Sequence, residues 1–94
     1  MKCLIVREPY VSQILDGSKV VEYRSRPANI RGVIGLIASG GKGRVLGTVE
    51  LYDCRAGTCD YEWLVRGAVR FTERRVVEQR PGCVVWVDAP GLAP

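Results

Sequence analysis

Five charged side chains crowd into one short stretch of the chain, GSKVVEYRSRPANIRG at residues 17–32. Four of them are the cations Lys19, Arg24, Arg26 and Arg31, and the fifth is the carboxylate Glu22. Clustered lysines and arginines are the groups with which nucleic-acid-binding proteins contact phosphates. The stretch therefore indicates a site for a polyanion or for a phosphate-bearing ligand.

The spacing within this stretch predicts an arrangement. VVEYR has the composition of a strand, in which side chains two positions apart share a face, so Glu22, Arg24 and Arg26 are expected on one face and Tyr23 on the other. Lys19 directly follows a turn and need not obey this alternation. Glu22 can pair with Arg24 and orient its guanidinium toward a phosphate. The structural alternative is a surface ion pair worth about 0–1 kcal/mol, which leaves the other cations unexplained.

The charge of the whole chain supports a binding face. Residues 1–44 carry eight lysines and arginines against three acidic residues, a net charge of +5, whereas the remaining residues carry six against seven, a net charge of −1. Such asymmetry is typical of proteins that meet polyanions, although a basic surface kept for solubility would look similar. Because the chain has no histidine, Ser-His and Cys-His nucleophile pairs are excluded.

Four cysteines and no histidine give weak support for a metal site, and no cofactor is expected. Cys3 and Cys83 lie in apolar runs and are predicted to be core thiols, while Cys54 and Cys59 are predicted in a loop. No apolar run reaches the roughly 20 residues of a membrane span, and the N-terminus lacks the length of a signal-peptide core. We expect a cytoplasmic protein with reduced thiols and no membrane association.

The elements that position the cluster follow from the pattern of apolar and turn residues. A buried strand is predicted at KCLIV, followed by a helix that begins near Glu8 and Pro9 and ends at the Asp16-Gly17 stop. Further strands are predicted at VVEYR, GVIGLIAS, RVLGTVELYD, YEWLV with GAVRF, and GCVVWVD. The glycines of SGGKGR indicate a hairpin, and CRAGTCD is interpreted as a loop. Tyr10 and the two tryptophans are predicted mainly as core residues, with base stacking as the alternative role of Tyr10 and Tyr23.

An ordered series of residues runs through these elements: Pro9-Tyr10, Gly17-x-Lys19-x-x-Glu22-x-Arg24, Arg26-Pro27, Asn29-x-Arg31-Gly32 and a strand ending Ile37-Ala38-Ser39. This series resembles the ASCH domain, the activating signal cointegrator homology module of the PUA-like superfamily. The resemblance continues through the glycine-bearing strand Val45 to Leu51, through Trp63, and through Gly82 with Trp86. The chain departs from many relatives between Asp53 and Asp60, where they carry a longer helical insert.

The resemblance implies a fold and a binding cleft. The expected fold is α+β but mainly β: a small PUA-like β-barrel of about six strands capped by one short N-terminal helix. Residues 1–90 are expected to form this single domain, with residues 91–94 as a loose tail. The cleft between helix and barrel is expected to bind single-stranded or irregular RNA, another nucleic acid or a nucleotide-like small molecule. Its expected contacts are Lys19, Glu22, Arg24, Arg26, Asn29, Arg31, Ser12 and Ser39.

The resemblance also implies an enzymatic alternative. Some relatives cleave RNA, and others hydrolyse acylated cytidine nucleosides with a lysine, a threonine and a glutamate. Lys19 matches that lysine, but Glu22 stands where the threonine is expected, which disfavours the amidohydrolase. A metal-independent ribonuclease or a modified-nucleoside hydrolase using Lys19 and Glu22 is the alternative to simple binding, and a protein-interaction module is the third hypothesis.

Overall fold

Most of the chain is built from strands. The computed structural model describes residues 1–40, 43–76 and 86–88. Its strands are β1 (Lys2–Val6), β2 (Val21–Arg24), β3 (Gly32–Ala38), β4 (Arg44–Ala56), β5 (Tyr61–Val76) and β6 (Trp86–Asp88), and its helix is α1 (Tyr10–Asp16). The prediction of a mainly β, α+β fold is therefore confirmed.

The strands form one mixed sheet in the order β2-β5-β4-β3-β1-β6. β1 runs parallel to β3, and the other neighbouring pairs are antiparallel. The sheet curls into a half-barrel, and within the described residues its two outer strands, β2 and β6, are not paired with each other. Closure of the barrel, the helix as its cap and the single domain over residues 1–90 stay predictions.

Helix α1 begins at Tyr10, directly after the Glu8-Pro9 pair that the sequence indicates, and ends at the predicted Asp16-Gly17 stop. The Glu8 carboxylate accepts hydrogen bonds from the Ser12 N–H at 3.2 Å and from the Ser12 hydroxyl at 2.8 Å. Gly17, at φ 86°, ends the helix in the left-handed conformation that glycine adopts without steric cost. Val11, Ile14 and Leu15 are its buried side chains. No helix in the described residues is long and apolar enough to span a bilayer.

Helix α1 lies close to the sheet because β4 has no side chain at the point of contact. A Cβ added at Gly47 would lie 2.7 Å from Leu15 Cδ2 and would also collide with the carbonyl oxygen of Val69. The larger core cluster extends from the buried face of α1 to Leu4, Ile34, Leu36, Val49, Leu51, Trp63 and Val65. A smaller cluster of Cys3, Ile5, Ile37 and Val45 forms a second core. Gly47 therefore sets the distance between helix and sheet.

The interpretation of CRAGTCD as a loop is wrong for its first three residues. Cys54, Arg55 and Ala56 continue β4, where they pair with Trp63, Glu62 and Tyr61 of β5. The connection is limited to residues 57–60, so Cys54 is a strand residue rather than a loop thiol. An Arg55–Glu62 ion pair of 2.5 Å crosses this end of the hairpin. Residues 54–56 have a composition that is typical of turns, but their pairing with β5 places them in a strand.

Other predicted elements agree with the structure or lie outside its described part. The hairpin between β3 and β4 is confirmed by their antiparallel register. YEWLV and GAVRF are one continuous strand, β5, with a register shift beside Gly67, whose φ is 66°. The predictions for Gly82, Cys83 and the tail at residues 91–94 concern residues outside the described ranges.

Candidate functional site

An open cleft of about 620 Å³ lies where α1, β1 and β2 come together. It brings together residues that are separate in sequence but complementary in chemistry. They are three cations, one carboxylate, two tyrosines, one apolar residue and one hydroxyl: Arg7, Lys19, Arg24, Glu22, Tyr10, Tyr23, Ile5 and Ser39. Three cations against one carboxylate give this lining a net charge of +2.

Glu22 is the buried centre of the charged network. Its side chain is only 10% exposed, and its Oε2 accepts a hydrogen bond from Arg24 Nε at 2.9 Å and forms an ion pair with Arg24 Nη2 at 2.7 Å. Arg24 Nη2 also donates to the carbonyl oxygen of Ile5 at 2.9 Å. Because β1 and β2 are not neighbours in the sheet, Arg24 ties together two strands that backbone hydrogen bonds do not join. The surface-pair interpretation therefore does not hold, since this pair is largely buried.

Lys19 is held in place by groups on several sides. Its Nζ donates to the carbonyl oxygen of Val21 and lies 3.8 Å from Glu22 Oε1. The ammonium also lies 5.5 Å from the ring centroid of Tyr10 and 4.9 Å from that of Tyr23. Both distances are within the range of cation–π attraction. As its position after the turn allowed, Lys19 departs from the strict alternation of the strand.

Tyr10 is the clearest error among the sequence-based side-chain assignments. It was expected mainly in the core, yet it is 49% exposed and lines the cleft, as does Tyr23 at 54%. At about 100° per residue, Tyr10 lies roughly 90° from the centre of the apolar face formed by Val11, Ile14 and Leu15. The position at the edge of this face leaves Tyr10 exposed in the cleft.

The two tryptophans pack together in the core, and one of them contacts Arg24 of the cleft. Trp63 is 4% exposed, which confirms its assignment to the core, and Trp86 packs against the same core cluster. Their rings stack with centroids 5.9 Å apart. The guanidinium carbon of Arg24 lies 5.8 Å from the Trp63 ring centroid, so Arg24 is also held by an aromatic contact.

The cations in the β2–β3 connection lie outside the cleft lining. Arg26 was expected to share a face with Arg24 through the alternation of side chains along a strand. This prediction is wrong, because β2 ends at Arg24 and Arg26 lies beyond it. Arg26 is exposed, and its carbonyl accepts a hydrogen bond from Trp63 Nε1 at 2.9 Å. Arg31 Nη1 donates to the carbonyl oxygens of Ala28 and Ile30, each at 3.0 Å. Asn29 is exposed in the same connection.

The two candidate serines are separated by the fold. Ser39 lines the cleft directly after β3. The Ser12 hydroxyl instead bonds to both carboxylate oxygens of Glu8, at 2.8 and 3.0 Å, and Ser12 is absent from the lining. Of the predicted contacts, the cleft thus collects Lys19, Glu22, Arg24 and Ser39.

Sequence reasoning missed Arg7 as a site residue. Arg7 directly follows β1 and lines the cleft, with its side chain exposed. The only signal in the sequence was an arginine at the end of an apolar strand and before the helix. Within the described ranges, no group of three or more cysteine, aspartate or glutamate side chains is placed to hold a metal ion.

Comparison with models of protein families shows which family the chain resembles. The family model of the ASCH domain matches residues 4–78, a range that contains every residue of the cleft lining. No curated protein matches the chain.

Proposed function

This chain belongs to the ASCH domain family, whose PUA-like members often bind RNA, and from that premise we propose that its cleft binds single-stranded or irregular RNA. The observation that carries the proposal is the pairing of charge and aromatic surface in one cavity. Its lining has a net charge of +2 and presents two half-exposed tyrosine rings. The positive charge can bind phosphates, and the exposed tyrosines can stack with unpaired bases.

The buried network explains how the cleft holds its shape. Glu22 orients Arg24 through one hydrogen bond and an ion pair, and Arg24 in turn bridges β2 and β1. A charged side chain that is already oriented loses little conformational entropy when a ligand arrives. We therefore assign Glu22 a positioning role and assign Tyr10, Tyr23 and the edge of the Arg24 guanidinium to ligand contact.

Titration with a short unstructured oligouridylate tests the proposal. Amide resonances of isotopically labelled protein should shift along α1, β2 and the ends of β1 and β3. The affinity should fall steeply as salt rises, because phosphate contacts release counterions. If no cleft resonance moves at any RNA concentration, or if salt has no effect, this function is wrong.

A matched pair of tyrosine variants locates the base contact. Tyr23→Ala removes the ring of a residue that is 54% exposed and lines the cleft, whereas Tyr52→Ala removes the ring of a residue that is 39% exposed and absent from the cleft lining. Base stacking on an aromatic side chain is worth about 1–3 kcal/mol. We expect Tyr23→Ala to weaken RNA binding at least about fivefold and Tyr52→Ala to leave it unchanged. Equal effects would mean that RNA does not bind in the cleft.

The second candidate function is cleavage of RNA or hydrolysis of a modified nucleoside. It is favoured by one observation, the 3.8 Å separation of Lys19 Nζ and Glu22 Oε1 at the cleft. Against it, Glu22 Oε2 is already engaged by a hydrogen bond and an ion pair from Arg24, and Lys19 donates to a backbone carbonyl. Incubation of the protein with labelled RNA or acylated cytidine distinguishes the functions. Product that disappears in a folded Lys19→Ala variant would establish the enzyme, and intact substrate would support binding alone.

A further inference from the structure

The three cations of the cleft differ in how much hydrogen-bonding capacity they have left for a ligand. Lys19 is engaged with the Val21 carbonyl, Glu22 and two rings, and Arg24 with Glu22, the Ile5 carbonyl and Trp63. The Arg7 guanidinium makes no hydrogen bond or ion pair with any residue that the structure describes. Among the described residues, no group occupies its donors, which leaves them available to an incoming anion.

Strand pairing gives Arg7 a second donor beside it. β1 and β3 are parallel, with Val6 opposite Ala38, so Arg7 and Ser39 follow the carboxyl ends of two adjacent strands. The Ser39 N–H donates to the Val6 carbonyl at 2.9 Å, which fixes this neighbourhood. Both residues are exposed and both line the cleft. An arginine fork next to a hydroxyl is suited to a tetrahedral phosphate oxyanion.

We propose that Arg7 and Ser39 form the phosphate subsite of the cleft, and that the unit bound there is a single nucleotide with its base toward Tyr10 and Tyr23. This inference rests on the proposed function and adds the orientation of the bound nucleotide in the cleft. The cleft volume of about 620 Å³ lies within the roughly 300–1,000 Å³ typical of small-ligand pockets. It suits one unpaired nucleotide better than a double helix.

The test compares uridine with UMP by titration against labelled protein, followed by calorimetry where the affinity permits. UMP should bind at least about tenfold more tightly than uridine, because a charge-assisted contact adds to the base contact. Arg7→Ala should abolish this preference, so that UMP and uridine bind the variant with similar affinity. Ser39→Ala should reduce the preference by a smaller factor, since the hydroxyl supplies one donor.

Two further variants make the result specific. Arg66→Ala removes the same charge from a side chain outside the cleft, so it should leave the preference for UMP intact. Should Arg7→Ala keep the preference while Arg26→Ala loses it, the phosphate lies on the β2–β3 connection and the inference is overturned. Equal affinity of wild-type protein for uridine and UMP overturns it as well. If uridine, UMP and oligouridylate all leave the cleft resonances unmoved, the proposed function itself fails.

Discussion

Replacing Glu22 with glutamine tests whether this carboxylate positions the site or merely offsets charge. Glu22→Gln keeps the shape of the side chain and removes its negative charge. The amide group also places an N–H₂ donor where a carboxylate oxygen now lies near Lys19 or Arg24, both of which are donors. The variant therefore loses attraction to two cations without opening a cavity.

The expected cost follows from the burial of the pair. Glu22 and Arg24 are 10% and 22% exposed at their side chains, so solvent screens them little. Removing one partner of a buried pair costs about 3–5 kcal/mol, and a charge-assisted hydrogen bond is worth about 1.5–3 kcal/mol. Glutamine retains one acceptor, so we expect a loss of about 2–3 kcal/mol in the free energy of unfolding. At about 4–8 °C per kcal/mol for a domain of this size, Tm should fall by at least about 8 °C.

Urea unfolding of Glu22→Gln and of a control, Glu50→Gln, measures this difference. Glu50 pairs with Arg66 on the exposed face, where the two side chains are 41% and 61% exposed, so solvent screening should make its loss much smaller. Equal unfolding free energies for the two variants would refute the buried network as a stabilising element.

RNA binding by the same variant separates positioning from charge. Removing a negative charge from a basic cleft should strengthen the binding of a polyanion if only long-range electrostatics matters. Loss of the orientation of Arg24 should instead weaken binding, by about tenfold for the loss of about 1.4 kcal/mol. The affinity is to be measured well below the Tm of the variant, so that only folded protein is compared. Tighter binding by Glu22→Gln would refute the positioning role.

Three other predictions concern packing, pH and redox state. Gly47→Ala should destabilise the protein by about 1–3 kcal/mol or more, measured by urea unfolding, because the new methyl group collides with Leu15 and with backbone; unchanged stability would refute the close approach of α1. The hydrogen bond from Arg66 lowers the pKa of Glu50 below its ordinary value, so the stability from this pair is present above pH 4.5 and is lost as pH falls through the lowered pKa. Arg66→Ala should therefore lose less stability than wild type upon acidification below pH 4.5, as measured by unfolding at stepped pH, and parallel pH profiles would contradict the assignment. Cys54 and Cys59 are free thiols, and Cys3 and Cys83 are predicted to be core thiols, so Tm should be the same with and without reductant, and a large drop with reductant would reveal a disulfide.

Much of the fold could be read from local pattern. The apolar run KCLIV, the Asp16-Gly17 stop and the glycines between β3 and β4 mark elements that form where expected. The error at residues 54–56 arose because their composition is typical of turns, while their conformation depends on pairing with β5. Composition alone does not show which residues on either side of a turn will pair across it, and so it does not show where the strand ends.

The sequence by itself determined the pairing of Glu22 with Arg24, because side chains two positions apart in a strand share a face. The position of Lys19 beside them was left open by the sequence, since Lys19 lies before the strand, and the fold decided it. The same local logic failed for Arg26, because where a strand ends depends on the extent of its partner. Only the tertiary structure decided that Arg7 and Ser39 lie side by side. They are 32 positions apart in the chain, and the parallel pairing of β1 with β3 joins them. Parallel strands require a crossover, here through α1 and β2, so the neighbours across their ends are set by the topology of the sheet and not by spacing along the chain.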